Sequence, residues 1–207
     1  AESQLGHKKF LEYVTNFGIF KKTGIDLQGE IAPANMEFKK GYEINYATAS
    51  FGQGIEMTPI QLVRAFSAIA NGGKLVKPYL VEEDQEISNN NVISPQTASK
   101  VTAMLVSVVE AAYTKAAQVP GYYVAGKTGT AQVSYSALGI NQKGYSDKTW
   151  QSFIGFAPAF NPQFLILVKL NNPATQTAEY SAVPVFQELA KYIIDYYQIP
   201  PDRYENE

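Results

Sequence analysis

The segment Val124–Val133 constrains the fold most, because its lysine and glycines fit two incompatible backbone shapes. Gly121–Thr128 formally matches a phosphate-binding loop, in which a strand delivers a glycine-rich loop to the start of a helix. The flanking residues oppose that geometry, since Thr114–Pro120 is no buried strand and Gly129 stands where the helix should begin. The residues between the glycines are aromatic and β-branched, as strand residues are. The sequence therefore predicts an extended strand over residues 122–133.

The tripeptide Lys127-Thr128-Gly129 by itself also fits a solvated lysine at the end of a strand, beside a turn glycine. Other segments favour a more specific interpretation, because they match one protein family in the same order along the chain. They are Phe17–Glu30, Phe51–Gly73, Ser152–Pro158 and Pro184–Ala190. With the tripeptide, these segments resemble the transpeptidase domain of class B penicillin-binding proteins, and the resemblance extends over nearly the whole chain.

The resemblance implies a penicillin-binding and β-lactamase-like fold of the α/β (α+β) class, an antiparallel sheet flanked by helices. The residue pattern agrees, since Gln151–Phe156 and Gln163–Leu170 read as strands joined by the proline-bearing connection Ala157–Pro162. With residues 122–133, these segments predict three antiparallel strands. Residues 1–207 are then expected to be the C-terminal part of a single transpeptidase domain, without its N-terminal strands and its nucleophile helix.

Apolar periodicity and capping signals predict two helices in the first half of the chain. The first spans Gly6–Phe17. The second starts at a capping box formed by Thr58–Gln61 and ends at Asn71–Gly73. Between them, Gly41–Gly54 is rich in small residues, and Gly52 and Gly54 permit backbone conformations or close approaches that a side chain would forbid. An ordinary turn is the alternative interpretation of this region.

Two more helices are predicted downstream. One starts at Ser94–Pro95, and its buried stripe is predicted to be Val101, Met104, Leu105, Val108 and Ala112. The other is Pro184–Tyr197, and the face it lays across the sheet is predicted to be Phe186, Leu189, Ala190, Ile193 and Tyr197. Ser134–Thr149, before Trp150, is predicted to be a mobile connection, with a role as a groove rim left open.

The resemblance also implies roles for the residues around Lys127. Lys127 would offer a fixed positive charge to the terminal carboxylate of the substrate, and the hydroxyls of Thr128 and Thr130 would donate hydrogen bonds to it. Gly129, which has no side chain, would let the substrate lie against the strand in β-like pairing. The backbone amide of Thr130 would form half of the oxyanion hole, whose other half comes from the catalytic serine. Neither a cofactor nor a metal is implied.

The nucleophile motif of the family, Ser-x-x-Lys, occurs nowhere among the 207 residues. The second motif, Ser-x-Asn, is expected shortly before a segment such as Glu2–Gly6. Ser88–Asn90 matches its letters, but it lies in a polar run well downstream, which is typical of a solvated loop. Both motifs are therefore expected in an upstream part of the same protein. A membrane anchor outside this chain is expected too, and it would hold the protein at the extracytoplasmic face of the bacterial cell membrane.

Composition narrows the possible functions. A hydrophobic content of 45% can form a sizeable core, whereas a net charge of -2 without a basic stripe argues against nucleic-acid binding. The absence of cysteine is compatible with an exported protein. The single histidine, His7, is predicted to be a surface residue, which leaves no base for Ser-His-Asp hydrolysis. The acidic triplet Glu82–Asp84 is typical of a solvated turn and not of a metal site.

The function implied by the resemblance is a D,D-transpeptidase that cross-links peptidoglycan stem peptides through a serine acyl-enzyme. This chain would supply the Lys-Thr-Gly wall of the active site and would be inactive alone. Stem peptides, β-lactam antibiotics and proteins of a wall-elongation or division complex would be its partners. Two alternatives stay open: a penicillin-recognising sensor or β-lactamase, and a catalytically inactive scaffold of a wall-building complex.

We predict that the 207 residues alone are not acylated by penicillin, because the family's nucleophile motif is not among them. Incubation with a fluorescent penicillin checks this. The label should attach only when the upstream part of the protein is present. Stoichiometric labelling of one serine in the isolated chain would show that the nucleophile lies within it.

Overall fold

The computed structural model describes residues 2–81 and 91–203. The chain forms two compact units, Ala1–Ser99 and Lys100–Glu207. The predicted loop at Ser88–Asn90 and the acidic triplet Glu82–Asp84 lie outside the described residues.

The first unit is helical in its described part. Its helices are α1 (Glu2–Leu5), α2 (His7–Asn16), α3 (Met36–Lys39), α4 (Glu43–Ala49) and α5 (Pro59–Ala70). The following helix, α6 (Pro95–Ala111), begins in the first unit and ends in the second.

The start of α5 confirms the predicted capping box. The Thr58 hydroxyl accepts a hydrogen bond from the Gln61 backbone N–H at 3.3 Å, and the Gln61 side chain accepts one from the Thr58 N–H at 2.8 Å. The buried Gln61 amide also donates to the carbonyls of Ile19 and Lys21, at 3.0 and 2.7 Å. The cap therefore ties α5 to the segment that follows α2.

The turn after α2 is closed by the carboxylate of Glu30. It accepts hydrogen bonds from the Thr23 hydroxyl at 2.6 Å, from the Thr23 N–H and from the Gly24 N–H at 3.0 Å. These bonds, that of the Thr23 hydroxyl first, hold the pKa of Glu30 below its ordinary value. Glu30 therefore stays ionised at neutral pH and keeps the turn in one conformation.

Gly52 and Gly54 adopt positive φ angles, the backbone conformations that the sequence predicted for them, but α4 forms earlier in the region Gly41–Gly54, where no helix was predicted. Tyr46 of α4 is buried and stacks on His7, with ring centroids 4.5 Å apart. The prediction of His7 as a surface residue is therefore corrected: the side chain is half-buried. Its stacking partner belongs to a helix that the sequence pattern missed, because small residues mask the short periodic signal of α4.

The second unit contains a sheet of three antiparallel strands in its described part, in the order β1-β2-β3. They are β1 (Ala125–Ser134), β2 (Tyr145–Ala157) and β3 (Phe164–Asn171). The predicted antiparallel trio is therefore confirmed. The segment Ser134–Thr149 is not simply a mobile connection, since β2 already begins at Tyr145 and a 3₁₀ turn forms at Ser136–Leu138.

Helix α7 (Ala182–Tyr197) packs on β2 and β3. Its buried residues are Ala182, Val183, Phe186, Ala190 and Ile194. The predicted face is wrong at Leu189 and Tyr197, which are exposed. The buried residues Ala182, Phe186, Ala190 and Ile194 are spaced four apart and lie on one side of α7. The two alanines allow the helix to approach the sheet closely, so this side faces the core in preference to the neighbouring side, which carries the bulkier Leu189 and Tyr197.

The predicted stripe of α6 is wrong at Met104 and Val108, whose exposed fractions are 65% and 43%. The buried positions of this helix are Ala98, Thr102, Val106 and Val109. Since α6 carries apolar residues on more than one side, two i, i+4 series compete in the sequence, and tertiary packing decides between them.

The pairing of β1 with β2 depends on two glycines that face each other, Gly126 and Gly155. The ring of Phe153 covers both, and a Cβ at Gly126 would lie 2.4 Å from that ring and 3.1 Å from the Ile154 carbonyl oxygen. Phe153 in turn packs against Phe186 of α7, with centroids 4.6 Å apart. The missing side chains therefore make room for the aromatic pair that joins helix and sheet.

We predict that Gly126→Ala destabilises the intact protein by about 1–3 kcal/mol, because the added methyl group overpacks against Phe153 and the backbone. Gly129→Ala, in the same strand, is the matched control. Its Cβ would meet only the Ser152 hydroxyl, at 2.7 Å, and that group can rotate away. The free energies of unfolding in denaturant measure the difference. Equal losses in the two variants would contradict this account.

Candidate active site

The predicted residues Lys127, Thr128, Gly129 and Thr130 lie together in β1, which is an edge strand of the described sheet. The edge is the position from which an added strand can reach unpaired backbone groups. The prediction of a strand here, and not a phosphate-binding loop, is confirmed.

The direction of the backbone groups follows from the ladder. The Asn172 N–H donates to the Thr149 carbonyl at 2.8 Å, so the backbone groups of Thr149 point towards β3. Because this direction alternates along a strand, those of Trp150 and Ser152 point towards β1. Their partners on β1 are Ala131 and Gly129. The N–H and C=O groups of the β1 residues in between, Thr128 and Thr130, therefore point away from β2, in the plane of the sheet, at its open edge.

The ammonium group of Lys127 lies at the same edge. It donates to the outward carbonyl of Thr128 at 3.1 Å and to the Thr128 hydroxyl at 3.3 Å. The side chain is exposed, and no carboxylate within residues 2–81 and 91–203 is close enough to pair with it. A positive charge without an acidic partner therefore stands beside outward-pointing N–H groups, an arrangement suited to an anionic peptide end.

The two faces of the sheet separate the side chains of the tetrapeptide, because directly opposed residues share a face. Lys127 and Gly129 share a face with Ser152 of β2 and Lys169 of β3, and we call this the lysine face. Thr128 and Thr130 lie on the other face, which α7 covers; we call it the helix face.

The hydroxyl of Thr130 is oriented by a backbone group on the helix face. It accepts a hydrogen bond from the Ala178 N–H at 3.3 Å, so its own proton is available for donation. Ala178 is buried at the start of the 3₁₀ turn Ala178–Tyr180, just before α7. The position of this turn therefore decides which way the Thr130 hydroxyl points.

Gln151 holds that turn, a role that sequence reasoning missed. Its fully buried amide donates to the Thr175 carbonyl at 2.6 Å and to the Thr149 hydroxyl at 3.0 Å. Its side-chain oxygen accepts from the hydroxyls of Thr175, at 3.0 Å, and Ser181, at 2.6 Å. The only signal for this role in the sequence was a glutamine beside the apolar residues of β2, and that signal does not identify the hydrogen-bond partners.

Gly129 opens the lysine face above β2. Only a hydrogen atom stands where a Cβ would be 2.7 Å from the Ser152 hydroxyl oxygen. Beyond Ser152, the Lys169 ammonium lies 4.4 Å from the centroid of the Trp150 ring. Sequence reasoning singled out neither Ser152 as a site residue nor Lys169, because the strand register that brings them behind Gly129 is a tertiary property.

The two half-open pockets in the described part of the second unit lie away from this edge. One pocket, of about 740 Å³, lies between the β2–β3 connection and the C-terminal end of α7, with Phe164 and Tyr197 among its walls. None of the four predicted site residues lines it. Among the described residues, no group of three or more His, Asp or Glu side chains could hold a metal ion. The candidate site is thus an open strand edge.

No helix within the described ranges is long and apolar enough to cross a membrane.

Known proteins resemble this chain in sequence. Residues 1–191 match the family model described as the penicillin binding protein transpeptidase domain. Stage V sporulation protein D of Bacillus subtilis is 38% identical over 182 residues, which are 82% of this chain and 27% of that protein. The probable peptidoglycan D,D-transpeptidase PbpC of Pseudomonas aeruginosa is 32% identical over 209 residues, which are 98% of this chain and 36% of that protein. The chain spans about a third of the length of the curated relatives it matches.

Solved structures share the fold. Penicillin-binding protein 3 of Mycobacterium tuberculosis, complexed with ampicillin, superposes with a TM-score of 0.83 and 29% identity. The match covers 100% of this chain and 49% of that chain. The transpeptidase domain of penicillin-binding protein 3 from Burkholderia pseudomallei gives a TM-score of 0.82 at 28% identity, over 98% of this chain and 61% of that chain. The predicted fold class is therefore confirmed.

We predict that Gln151→Leu destabilises the intact protein by about 2 kcal/mol or more, because part-buried hydroxyl and carbonyl groups of Thr175 and Ser181 lose their partner. The matched control is Gln132→Leu, the same change at an exposed position of β1, which should stay within about 0.5 kcal/mol. Denaturant unfolding measures both. Similar values for the two variants would show that Gln151 does not hold the turn.

Proposed function

Since this chain belongs to the penicillin-binding protein transpeptidase domain family, we propose that it supplies one wall of the active site of a peptidoglycan D,D-transpeptidase. The whole protein would cross-link stem peptides through a serine acyl-enzyme. The observation that carries this proposal is the Lys127 ammonium, which has no carboxylate partner among the described residues, beside the outward backbone groups of Thr128 and Thr130. The name of the Pseudomonas aeruginosa relative, a probable peptidoglycan D,D-transpeptidase, supports the same activity.

Lys127 binds the terminal carboxylate of the donor peptide in this proposal. Its ammonium already bonds weakly to its own strand, through the Thr128 carbonyl at 3.1 Å. An incoming carboxylate provides a charged acceptor and so the stronger, charge-assisted bond. The hydroxyls of Thr128 and Thr130 add hydrogen bonds to the same group. Lys127 therefore selects peptides that end in a free carboxylate at this point.

The outward N–H of Thr130 stabilises the oxyanion of the tetrahedral intermediate, as one half of the oxyanion hole. Preorganised donors of this kind contribute about 3 kcal/mol each to the transition state. The N–H is held in place because Thr130 belongs to a strand paired along β2, and its side chain is braced by Ala178. The donor therefore needs no reorganisation when negative charge develops.

The two contacts give the bound peptide a direction. Its carboxylate end lies near Lys127 and its acyl carbonyl near Thr130, so the residues upstream continue towards Gln132. The peptide then runs antiparallel to β1 and pairs with the outward groups of Thr128 and Thr130, like an added strand. Gly129 presents no side chain to the peptide, which allows this close approach.

The remaining elements of the reaction lie outside this chain in our proposal. An upstream part of the protein supplies the serine nucleophile, its lysine and the Ser-x-Asn motif, and residues 1–207 complete the same domain. β-Lactams acylate the serine in place of the peptide; a related protein has been solved with ampicillin. The protein acts at the extracytoplasmic face of the bacterial cell membrane and works with wall-elongation or division proteins.

We predict that Lys127→Ala in the intact protein slows acylation by benzylpenicillin by about 100-fold or more, because the cation facing the ligand carboxylate is lost. An uncharged acyl donor should lose much less. Lys191→Ala, at an exposed position of α7, is the control and should behave as wild type. The amount of acyl-enzyme formed at a series of quench times gives the acylation rates. Unimpaired acylation of the Lys127 variant by both donors would place the active site elsewhere.

A further inference from the structure

The N-terminal end of β1 meets residues 199–203, which follow α7. The Tyr122 hydroxyl donates a hydrogen bond to the Ile199 carbonyl at 2.6 Å. One oxygen of the Asp202 carboxylate, Oδ1, accepts a hydrogen bond from the Tyr123 N–H at 2.9 Å. We call residues 199–203 the clamp segment, because they bond to the chain immediately before the strand that carries the candidate site.

The ladder between β1 and β2 explains why Tyr123 needs an acceptor from elsewhere. Ala125 pairs with Phe156. Two residues further, the same register would place Pro158 opposite Tyr123, and proline has no N–H to donate. The Tyr123 carbonyl accepts instead from the Ala159 N–H at 2.8 Å. The regular ladder therefore ends here, although the chain of β1 is still held from the side of β2.

The Asp202 carboxylate takes over the other half of this missing pair. Backbone direction alternates along a strand, and Tyr123 lies six residues before Gly129, so its N–H points to the same side as that of Gly129, towards β2. Strand β2 itself ends at Ala157. The oxygen that receives the Tyr123 N–H is the Oδ1 of Asp202, which thus extends the ladder by one acceptor.

Other contacts of the clamp segment fix where this carboxylate lies. The N–H groups of Asp202 and Arg203 both donate to the Gly121 carbonyl, at 3.2 and 3.1 Å. The Arg203 guanidinium bonds to both carboxylate oxygens of Glu110 in α6, at 2.9 and 3.0 Å, and lies 5.2 Å from the centroid of the Tyr123 ring. The clamp segment is therefore tied to α6 as well as to the chain before β1.

The second oxygen of the Asp202 carboxylate, Oδ2, is buried and has no hydrogen-bond partner among residues 2–81 and 91–203. A buried acceptor without a partner lowers the stability of a fold. A carboxylate is thus a poor choice at this place for stability alone. What it supplies is one acceptor at a fixed point, where the Tyr123 N–H must lie.

The path from this point to the candidate site is short and stiff. Val124 and Ala125 are fully buried, and Lys127 follows Tyr123 after four residues of extended chain, about 13 Å. In the described part of the chain β1 pairs only with β2, so no strand supports it from its open side. The position of the Thr130 N–H along the strand therefore depends on the ladder with β2 and on the hold at Tyr123.

We propose that Asp202 is a positioning residue for acylation: its carboxylate extends the β1–β2 ladder at Tyr123 and thereby sets where the Thr130 N–H stands when the donor peptide reacts. This inference rests on the proposed transpeptidase function and adds a residue remote from the reacting atoms. Asp202 itself contacts neither the peptide nor the serine. Its effect reaches them through the backbone of β1.

The test measures acylation of the intact protein by benzylpenicillin in wild type and in Asp202→Ala, under conditions in which both are fully folded. The acylation rate constant should fall about tenfold, because misplacing a reacting group by about 1 Å costs up to about 100-fold and loss of one hold shifts β1 by less. The dissociation constant of the initial complex should change by less than about twofold, because the oxyanion donor acts on charge that develops only in the transition state.

The control for a general loss of stability is Ser94→Ala. The Ser94 hydroxyl accepts from the Thr97 N–H at 3.1 Å at the start of α6, and removal of such a cap destabilises a protein without touching β1. This variant should acylate like wild type under the same conditions. Denaturant unfolding of both variants shows that the comparison is made at a similar loss of stability.

Two conservative variants separate geometry from charge. Asp202→Asn keeps an oxygen that accepts from the Tyr123 N–H, so its acylation rate constant should stay within about twofold of wild type although the charge is lost. Asp202→Glu keeps the charge but displaces the carboxylate by one methylene group, so it should be slowed about as much as Asp202→Ala. A role of the negative charge itself would give the reverse order.

The outcomes separate failure of this role from failure of the proposed function. A wild-type rate constant in folded Asp202→Ala, or equal slowing in Ser94→Ala, overturns the positioning role. If Asp202→Ala does not fold, the two conservative variants decide, and the role is overturned unless Asp202→Asn is the faster. None of these results touches the proposed function while Lys127→Ala still slows acylation. Wild-type acylation in Lys127→Ala overturns the function itself.

Discussion

The antiparallel register of β1 and β2 is the constraint on which the candidate site depends. A shift by one residue would move Lys127 to the helix face and turn the backbone groups of Thr130 into the sheet. The register is held from the buried side, where the Phe153 ring fills the space above Gly126 and Gly155 and packs on Phe186. The aromatic core and the chemistry at the edge are therefore two consequences of one pairing.

A strand edge makes a suitable site only if its opposite face is rigid. Here the helix face provides that support through polar groups as well as apolar ones. The Gln151 side chain donates a hydrogen bond to the segment before α7 and accepts one from it. Ala178 of that segment donates to the Thr130 hydroxyl. Because this part-buried polar network is satisfied only in one arrangement, it specifies where Thr130 lies.

Local signals in the sequence were sufficient for some features and not for others. The Thr58 capping box and the three strands depend on neighbouring residues, so residue patterns alone predict them. The exposure of Met104 could not be predicted, because α6 is apolar on several sides and only the surroundings choose one. The contacts of Gln151 and Lys169 join segments that are distant in sequence or adjacent only through the sheet. For the candidate site, pattern and resemblance thus predicted the residues on β1, and that prediction stays a prediction, whereas the side chains behind them required the register.

An exposed strand edge is usually a liability, because its unpaired groups accept any extended chain. The edge of β1 carries Lys127 beside the outward groups of Thr128, and a charge at an edge disfavours pairing with an ordinary neutral strand. The same charge favours a peptide whose end is a carboxylate. In the proposed function, protection against unwanted strand addition and selection of the donor peptide are therefore one electrostatic property.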